Sequence, residues 1–176
     1  MRMLYWGSIT VFALIATPVA ARSDPAKVFR VHDGMVHVSG SEYGYIITKQ
    51  EYGNYHLRAE FKWGDATYEP RKDKARDTGI LIHVTGEDKV WPTSIEYHQG
   101  PWKDGAGTRS PENEVEKPHR EWNLVEVICQ GDRVTFKANG KVANEGERVR
   151  PSKGRILFQS EGAEVFFRNM ELKRMK

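Results

Sequence analysis

Apolar and polar residues alternate with a period of two along much of this 176-residue chain. In the segment 55–63, YHLRAEFKW, Leu57, Ala59 and Phe61 alternate with charged or polar residues. Such alternation is typical of β-strands that bury one face, and no stretch keeps a helical period over three turns. The other alternating segments are 79–84, 133–140, 154–160 and 163–173, the last with an expected irregularity near Asn169.

Short segments rich in glycine, asparagine and aspartate separate these strands, as expected for tight turns. They are HDG at 32–34, YGN at 52–54, QGD at 130–132, NG at 139–140 and PSKG at 151–154. Two longer segments, 64–78 and 100–120, lack alternation and are predicted to be loops. Many short strands with regular turns indicate an all-β fold, either an antiparallel two-sheet sandwich or a barrel.

The first 21 residues have the features of a secretory signal peptide. Arg2 precedes the apolar run at 9–21, which ends in small residues, with Val19 and Ala21 at the −3 and −1 positions of cleavage. The run is short for a membrane span, and a polar segment follows it. We therefore predict a secreted or periplasmic protein with a single domain over residues 22–176. An uncleaved membrane anchor is the alternative.

The single cysteine and the charge balance exclude several classes of protein. Cys129 lies in the apolar run NLVEVIC, so we expect a buried thiol and a fold that stands without a disulfide. The net charge is +3, and positive and negative residues are interspersed. No nucleic-acid-binding motif is present. The chain also lacks the G-x-S-x-G and H-E-x-x-H motifs and a glycine-rich phosphate loop.

The segment 91–102, WPTSIEYHQGPW, carries the most informative polar residues. If Ile95 and Tyr97 face the core, Glu96 and His98 point outward. The same alternation directs six other polar side chains outward, namely Arg58, Glu60, Lys62, His83, Arg155 and Gln159. If these strands are neighbours in one curved sheet, its outer face suits the binding of many hydroxyl groups. A merely solvated sheet face would show a similar pattern and is the alternative.

Tryptophans supply a second indication of a carbohydrate site. Trp63, Trp91 and Trp102 lie at predicted strand ends, where their flat faces could wall a cleft and pack against a pyranose ring. Trp122 is instead expected in the core, at the entry to a strand.

The cofactor is left open, and a divalent metal ion is one candidate. His83, Glu96 and His98 would form a set of two imidazoles and one carboxylate if the fold brought them together. A weaker alternative is a calcium ion in an acidic loop that lacks EF-hand spacing. The acidic residues of that loop are Asp65, Glu69, Asp73 and Asp77.

Several motifs follow one another along the chain. They are VHDGMVHVSG and GYIITKQEYGNYHLRAEFKW near the start, DTGI at 77–80, IEYH at 95–98, REWN at 120–123, NG at 139–140 and GRILFQSEGAEVFFRNMELK at 154–173. In this order they resemble the 3-keto-disaccharide hydrolase domain family over residues 28–174. The family's usual opening strand is missing before Val28. His83 replaces a frequent arginine, His98 replaces a frequent glutamine, and the segment 100–120 looks short.

The resemblance implies a concanavalin A-like jelly-roll sandwich that cleaves glycosides already oxidised to a ketone at C3. In that reaction a base removes the C2 proton, the aglycone leaves by elimination, and water adds back. Glu96 and His98 would then be an acid–base pair or metal ligands. The oxyanion would be stabilised by His83, Lys62 or Arg58.

The other residues of the predicted site would bind substrate, and these are Arg58, Glu60, Lys62, Trp91, Trp102, Arg155 and Gln159. We expect Glu96, His98 and His83 to converge on the outer, concave face of one sheet. The alternative function is a non-catalytic, lectin-like carbohydrate-binding module that uses the same face. The third candidate function is a surface scaffold without a sugar ligand. The expected partner is a carbohydrate, without nucleic acid and without a stable membrane span after signal cleavage, and the oligomeric state stays open.

Overall fold

The computed structural model describes residues 25–99 and 115–176, apart from the side chains of Pro25 and of residues 97–99. In this part of the chain, a single helical turn, α1 (Pro25–Val28), precedes eleven strands. The strands are β1 (Phe29–His32), β2 (Met35–Val38), β3 (Gly44–Ile47), β4 (Tyr55–Thr67), β5 (Thr78–Thr85), β6 (Thr93–Gln99), β7 (Asn123–Gln130), β8 (Arg133–Ala138), β9 (Lys141–Gly146), β10 (Arg155–Ser160) and β11 (Ala163–Arg174). Within these ranges, no helix has the length and apolar character needed to cross a membrane. The predicted signal peptide lies outside them.

The strands form two antiparallel sheets that share one core. The seven-stranded sheet has the order β1-β2-β11-β4-β7-β8-β9, and the four-stranded sheet has the order β3-β10-β5-β6. Between the sheets, Phe158 of β10 meets Phe167 of β11 edge to face, with ring centroids 5.2 Å apart. The prediction of an all-β, antiparallel two-sheet sandwich is confirmed.

The residues that alternation assigned to the core are buried. Leu57, Ala59 and Phe61 on β4 have no exposed surface, while the residues between them are half-buried on the other face. Cys129 is a buried free thiol, as predicted. Burial raises the pKa of this thiol to about 11, so it stays protonated and acts as a core residue.

Tight turns occur where the short polar segments predicted them. Asp33 and Gly34 connect β1 to β2, and Asn139 and Gly140 connect β8 to β9, all four with positive φ angles. Two consecutive residues of this conformation form the turn whose twist matches a two-residue hairpin. The irregularity expected near Asn169 is also present, as a register shift between Arg168 and Glu171.

The four-stranded sheet is partly covered on its outer face as well. Residues 86–92 connect β5 to β6 and contribute Val90 to a second apolar cluster there. We call this connection the covering segment. The other buried members of the cluster are Tyr45, Ile47, Leu81, Val84 and Leu157. This layer fixes the surroundings of the polar residues described next.

Candidate functional site

Two rows of residues cross the outer face of the four-stranded sheet. Residues that pair directly across neighbouring strands point to the same face. From β3 to β6, the first row comprises Ile47, Leu157, Leu81 and Glu96. The second comprises Tyr45, Gln159, Gly79 and His98, where Gln159 faces Gly79 by continuation of the Phe158–Ile80 pairing. Both rows begin apolar or aromatic at β3 and end in an ionisable residue at β6.

Gly79 has no side chain, which leaves a gap in the second row. Side-chain atoms of neighbouring residues extend into this gap. A Cβ atom at Gly79 would overlap Gln159 Oε1 and Glu96 Oε1 and would press on Leu81 Cδ1. The two oxygens therefore reach over Gly79 from β10 and β6, strands about 10 Å apart because β5 runs between them. A carboxylate and an amide oxygen thus meet above one backbone position on a largely apolar face.

Gln159 is fixed in this gap by the covering segment. Its side chain is fully buried, and its Nε2 donates a 2.7 Å hydrogen bond to the carbonyl oxygen of Val90. Because a side-chain amide has one donor end and one acceptor end, this bond leaves Oε1 directed to Gly79. Among the described residues, Oε1 has no hydrogen-bond partner. It is a buried acceptor beneath the covering segment.

Glu96 lies half-buried on β6, an edge strand. Its predicted outward orientation is confirmed, because its partner Leu81 belongs to the outer cluster while Ile95 packs against the core. The backbone of His98 pairs with Gly79. The side chain of His98 lies outside the description, so its convergence with Glu96 stays a prediction.

Three contacts attach the covering segment to the β10 strand and the residue that follows it. Arg155 and Gln159, both predicted to point outward, do lie on the outer face and take part. The guanidinium of Arg155 forms a two-bond ion pair, with Nη1 3.2 Å from a carboxylate oxygen of Asp88. The three pairs, in chain order along β10, are Arg155–Asp88, Gln159–Val90 and Glu161–Trp91.

Trp91 stands at the margin of the covering segment with 56% of its surface exposed. Its Nε1 donates a 2.7 Å hydrogen bond to Glu161 Oε1. The ring of Tyr43 meets the indole edge-on, with centroids 5.5 Å apart. Trp91 is therefore exposed, but its indole is restrained by two contacts, as expected for a side chain that lines a binding site.

The prediction that His83 faces outward beside Glu96 is wrong. His83 has no exposed surface, and its ring packs edge-on against the core residue Tyr55, with centroids 6.0 Å apart. A β-bulge is the cause, because the register shifts between Ile82 and Thr85 and His83 has a φ of 52°. Two successive residues, Ile82 and His83, consequently lie on the core side.

Arg58, Glu60 and Lys62 belong to a different surface from Glu96. They lie on β4 in the seven-stranded sheet, so the condition under which they would share one face with Glu96 is not met. Glu60 accepts hydrogen bonds from Arg168 at 2.8 Å and from Asn169 at 3.0 Å. These contacts indicate an ordinary solvated sheet face with local ion pairs.

The tryptophans are divided between core and surface. Trp63 is buried and meets Phe61 edge-on, with centroids 5.8 Å apart, so it walls no cleft. The prediction of a core position for Trp122 is wrong. Trp122 lies half-buried outside the seven-stranded sheet, with the Arg168 guanidinium 3.8 Å from its ring centroid. Trp102 lies outside the described residues.

The family model of the 3-keto-alpha-glucoside-1,2-lyase-like domain matches residues 16–173 of the chain. The chain belongs to this family. The predicted membership is confirmed, and it identifies a carbohydrate-active or carbohydrate-binding domain of the glycosyl hydrolase-like class. No curated protein is significantly similar to the chain.

Solved structures share the fold of this family member. Two are described as candidate glycosyl hydrolases from Parabacteroides distasonis. One has a TM-score of 0.69 at 20% identity, covering 85% of this chain and 91% of that chain. The other has a TM-score of 0.67 at 21% identity, covering 86% and 85%. The carbohydrate-binding module CBM66 from Bacillus subtilis has a TM-score of 0.62 at 12% identity, covering 82% and 90%. The predicted jelly-roll fold class is confirmed.

Two residues of the candidate site, Glu161 and Tyr43, were not predicted from the sequence. Glu161 continues the alternation of Arg155 and Gln159 by one step, so the period itself could have identified it. Tyr43 offered no comparable signal, because it precedes β3.

The described residues contain no group of three or more metal-ligating side chains. His83 cannot join Glu96 in a metal set, because the bulge turns it to the core side of the sheet. In the acidic loop that was a weaker candidate for calcium, Asp65 pairs with Arg120 and Asp77 pairs with Arg71.

His83 is expected to make the stability of this family member depend on pH. Burial lowers the pKa of its imidazole, and the backbone hydrogen bond with Pro151 opposes that effect. The unfolded chain keeps a histidine pKa of about 6.5. Stability is therefore complete above this value and falls as the pH drops towards the lower folded-state pKa, because the unfolded chain binds the extra proton.

Urea unfolding at about pH 7.5 and pH 5.5 tests this expectation. His83→Asn, which tolerates a positive φ, should lose less stability between the two pH values than the wild type. His32→Asn is the matched control, since His32 is exposed. Equal losses in the wild type and His83→Asn would contradict the assignment.

Proposed function

We propose that this domain cleaves 3-keto-glycosides on the outer face of its four-stranded sheet, at the point where Glu96 and Gln159 meet over Gly79. This convergence carries the proposal. It combines a carboxylate with an amide oxygen that has no partner among the described residues, inside an apolar surround. Family membership supplies the chemical class of the substrate.

The reaction is an elimination followed by hydration. The ketone at C3 acidifies the C2 hydrogen, so a base can remove that proton and form an enolate. The enolate electrons then form the C1–C2 double bond and expel the glycosidic oxygen from C1. The departing oxygen takes up a proton. Water adds to C1 and a proton returns to C2, which gives net hydrolysis. One base and one acid suffice, in contrast to the carboxylate pair of ordinary glycosidases.

Glu96 is proposed as the base, because it is the carboxylate that reaches the gap over Gly79. Gln159 would form the buried floor of that gap beneath the covering segment, because its side chain has no exposed surface. His98 would protonate the leaving oxygen, as its register position opposite Gly79 allows. His83, Lys62 and Arg58 are no longer proposed to stabilise the oxyanion, because they lie in the core or on the other sheet.

Aglycone release from a 3-keto-glucoside tests the proposal. The matched control is the same glucoside with an unoxidised C3, which lacks the acidified C2 hydrogen and should stay intact. Running both with and without a chelator decides whether a divalent metal is needed. A protein that retains glycans on an array but releases no aglycone would instead support the carbohydrate-binding alternative.

Export is proposed with the function, on the N-terminal pattern of residues 1–21. Expression in a bacterial host should give a secreted or periplasmic product that starts near Arg22. Intact-mass measurement checks this cleavage site. A full-length product in the membrane fraction would support the uncleaved anchor.

A further inference from the structure

Arg71 is a positively charged residue beside the candidate site that the proposed chemistry does not use. It lies in the segment between β4 and β5, and its Nη2 is 2.9 Å from a carboxylate oxygen of Asp77. The aliphatic part of its side chain packs against the chain at Gly162, where a Cβ atom would lie 3.2 Å from Arg71 Cβ. These two contacts hold the guanidinium at the start of β5 and the end of β10.

The geometry of β5 shows on which face of the sheet Arg71 lies. Asp77 immediately precedes β5 and, by alternation, points to the same side as Gly79, which is the outer face. The register of β5 and β10, continued to their ends, sets Asp77 opposite Glu161, which also lies on that face. Arg71 therefore extends the candidate site by one row.

The distance along β5 suits two different roles for Glu96 and Arg71. Asp77 precedes Gly79 by two residues, or about 7 Å along the strand. Glu96 reaches over Gly79, so its carboxylate and the guanidinium beside Asp77 are separated by a distance of this order. A base in contact with C2 and a donor in contact with the C3 oxygen would lie about 5–8 Å apart, because each contact spans about 3 Å.

Part of the Arg71 guanidinium is available to a ligand. A guanidinium carries five N–H groups. Among the described residues, its hydrogen bonds involve Nη2 alone, which donates to Asp77 and to the carbonyl oxygen of Ala75 at 3.4 Å. The other terminal nitrogen, Nη1, has two N–H groups without a partner in that part of the chain, and 30% of the side chain is exposed. These two groups can donate to a ligand oxygen.

Arg155 provides a comparison on the same face. Its Nη1 and Nη2 both bond to the Asp88 carboxylate, so both ends of its guanidinium are engaged. It also precedes Gln159 by four residues, or about 13 Å along β10. Of these two cations, Arg71 is therefore the better placed for a negative charge that develops over Gly79.

We propose that Arg71 stabilises the enolate of the proposed reaction by donating hydrogen bonds to the C3 oxygen, and that Asp77 positions its guanidinium. Removal of the C2 proton moves an electron pair towards this oxygen, and hydrogen bonds from a cation strengthen as the oxygen becomes negative. Arg71 keeps its own protons throughout. The inference rests on the proposed function, because the reacting sugar is placed over Gly79. It fills the role that the residues predicted from the sequence cannot take.

Kinetics of aglycone release from a 3-keto-glucoside test this role. Arg71→Ala should lower kcat by about 100-fold to 1,000-fold with KM nearly unchanged, the usual effect of removing one donor to an oxyanion. Arg71→Lys keeps the charge but not the planar fork, so its rate should lie between the two. Asp77→Asn keeps an acceptor for Arg71 without the charge and should lower kcat about tenfold. Arg133→Ala is the matched control and should leave the rate unchanged, because Arg133 is an exposed, ion-paired arginine on the other sheet.

Two further measurements separate a role in the reaction from a role in the structure. Guanidinium chloride, well below the concentrations that unfold proteins, should restore part of the rate of Arg71→Ala, whereas sodium chloride at the same ionic strength should not. Guanidinium should not restore Glu96→Gln, which lacks the base rather than the oxyanion donor. A substrate deuterated at C2 should react more slowly with Arg71→Ala, because proton removal then limits the rate.

The outcomes distinguish this inference from the proposed function. An Arg71→Ala enzyme with the wild-type kcat overturns the inference and leaves the proposed function in place. A slow Arg71→Ala enzyme that shows neither guanidinium rescue nor an isotope effect also overturns it, because a displaced segment would behave in this way. If the wild type releases no aglycone from the 3-keto-glucoside, the proposed function fails, and the role of Arg71 fails with it.

Discussion

Glu96→Gln is expected to lower aglycone release from a 3-keto-glucoside by about 100-fold to 10,000-fold, the usual effect of removing a general base. Glutamine has nearly the same shape but cannot take the C2 proton. The loss should appear in kcat, because the variant keeps the shape of the site and the apolar face around Gly79 that would bind the substrate. Initial rates of aglycone release, measured at saturating substrate, check this expectation.

Two controls accompany this variant. Its unfolding midpoint should lie close to that of the wild type, because Glu96 is only half-buried and similar changes at surfaces shift stability by about 0.5 kcal/mol or less. Glu145→Gln removes an exposed carboxylate from β9 on the other sheet and should leave the rate unchanged. A fully active Glu96→Gln enzyme would remove Glu96 from the mechanism.

Alternation was enough to predict the strands and most of the core, because both follow from local geometry. In a regular strand, every second residue points to the same side, so the inward positions of β4 and β10 could be assigned without knowing their partners. The turns at Asp33–Gly34 and Asn139–Gly140 were equally local, since their residue types favour positive φ. Glu96 and Gln159 were placed on the correct face for the same reason.

Which sheet a strand joins was not predictable in this way. Arg58 and Glu96 both alternate outward, but β4 and β6 belong to opposite sheets, so the two residues never share a surface. Strand pairing depends on contacts between residues far apart in the chain, which a single period does not contain. The family resemblance predicted the fold class but did not indicate which of the two sheets each strand joins.

The bulge at His83 shows a second limit of periodicity. A single extra residue reverses the side to which the next side chain points. The segment GILIHV contains no residue type that indicates a bulge at His83. The shift is set jointly with β10, where the register also slips between Arg155 and Leu157. By contrast, Gly79 did carry a signal, because a glycine inside a strand often marks a close approach of other groups.

Gly79→Ala is expected to reduce turnover by at least about 100-fold, comparable to a misplacement of reacting groups by 1 Å. The new Cβ would occupy the space over β5 where Gln159 Oε1 and Glu96 Oε1 meet. Glu96 is half-buried and can swing away, whereas Gln159 and Leu81 are buried and must shift within the outer cluster, which costs stability. Gly79 is also not among the glycines with positive φ. The backbone of β5 therefore accepts alanine, and the unfolding midpoint should fall, by an amount equivalent to about 1–3 kcal/mol, while the protein still folds.

Gly53→Ala is the matched control for this variant. A Cβ at Gly53 would meet Lys153 Cβ at 3.4 Å, an ordinary contact, and Gly53 too lacks a positive φ. It should retain both stability and turnover. Rates and urea unfolding of the three proteins separate the outcomes. An inactive but folded Gly79→Ala protein supports a site built over this gap. An active one shows that substrate does not need Glu96 and Gln159 to meet there, and the reaction centre must then be sought away from β5.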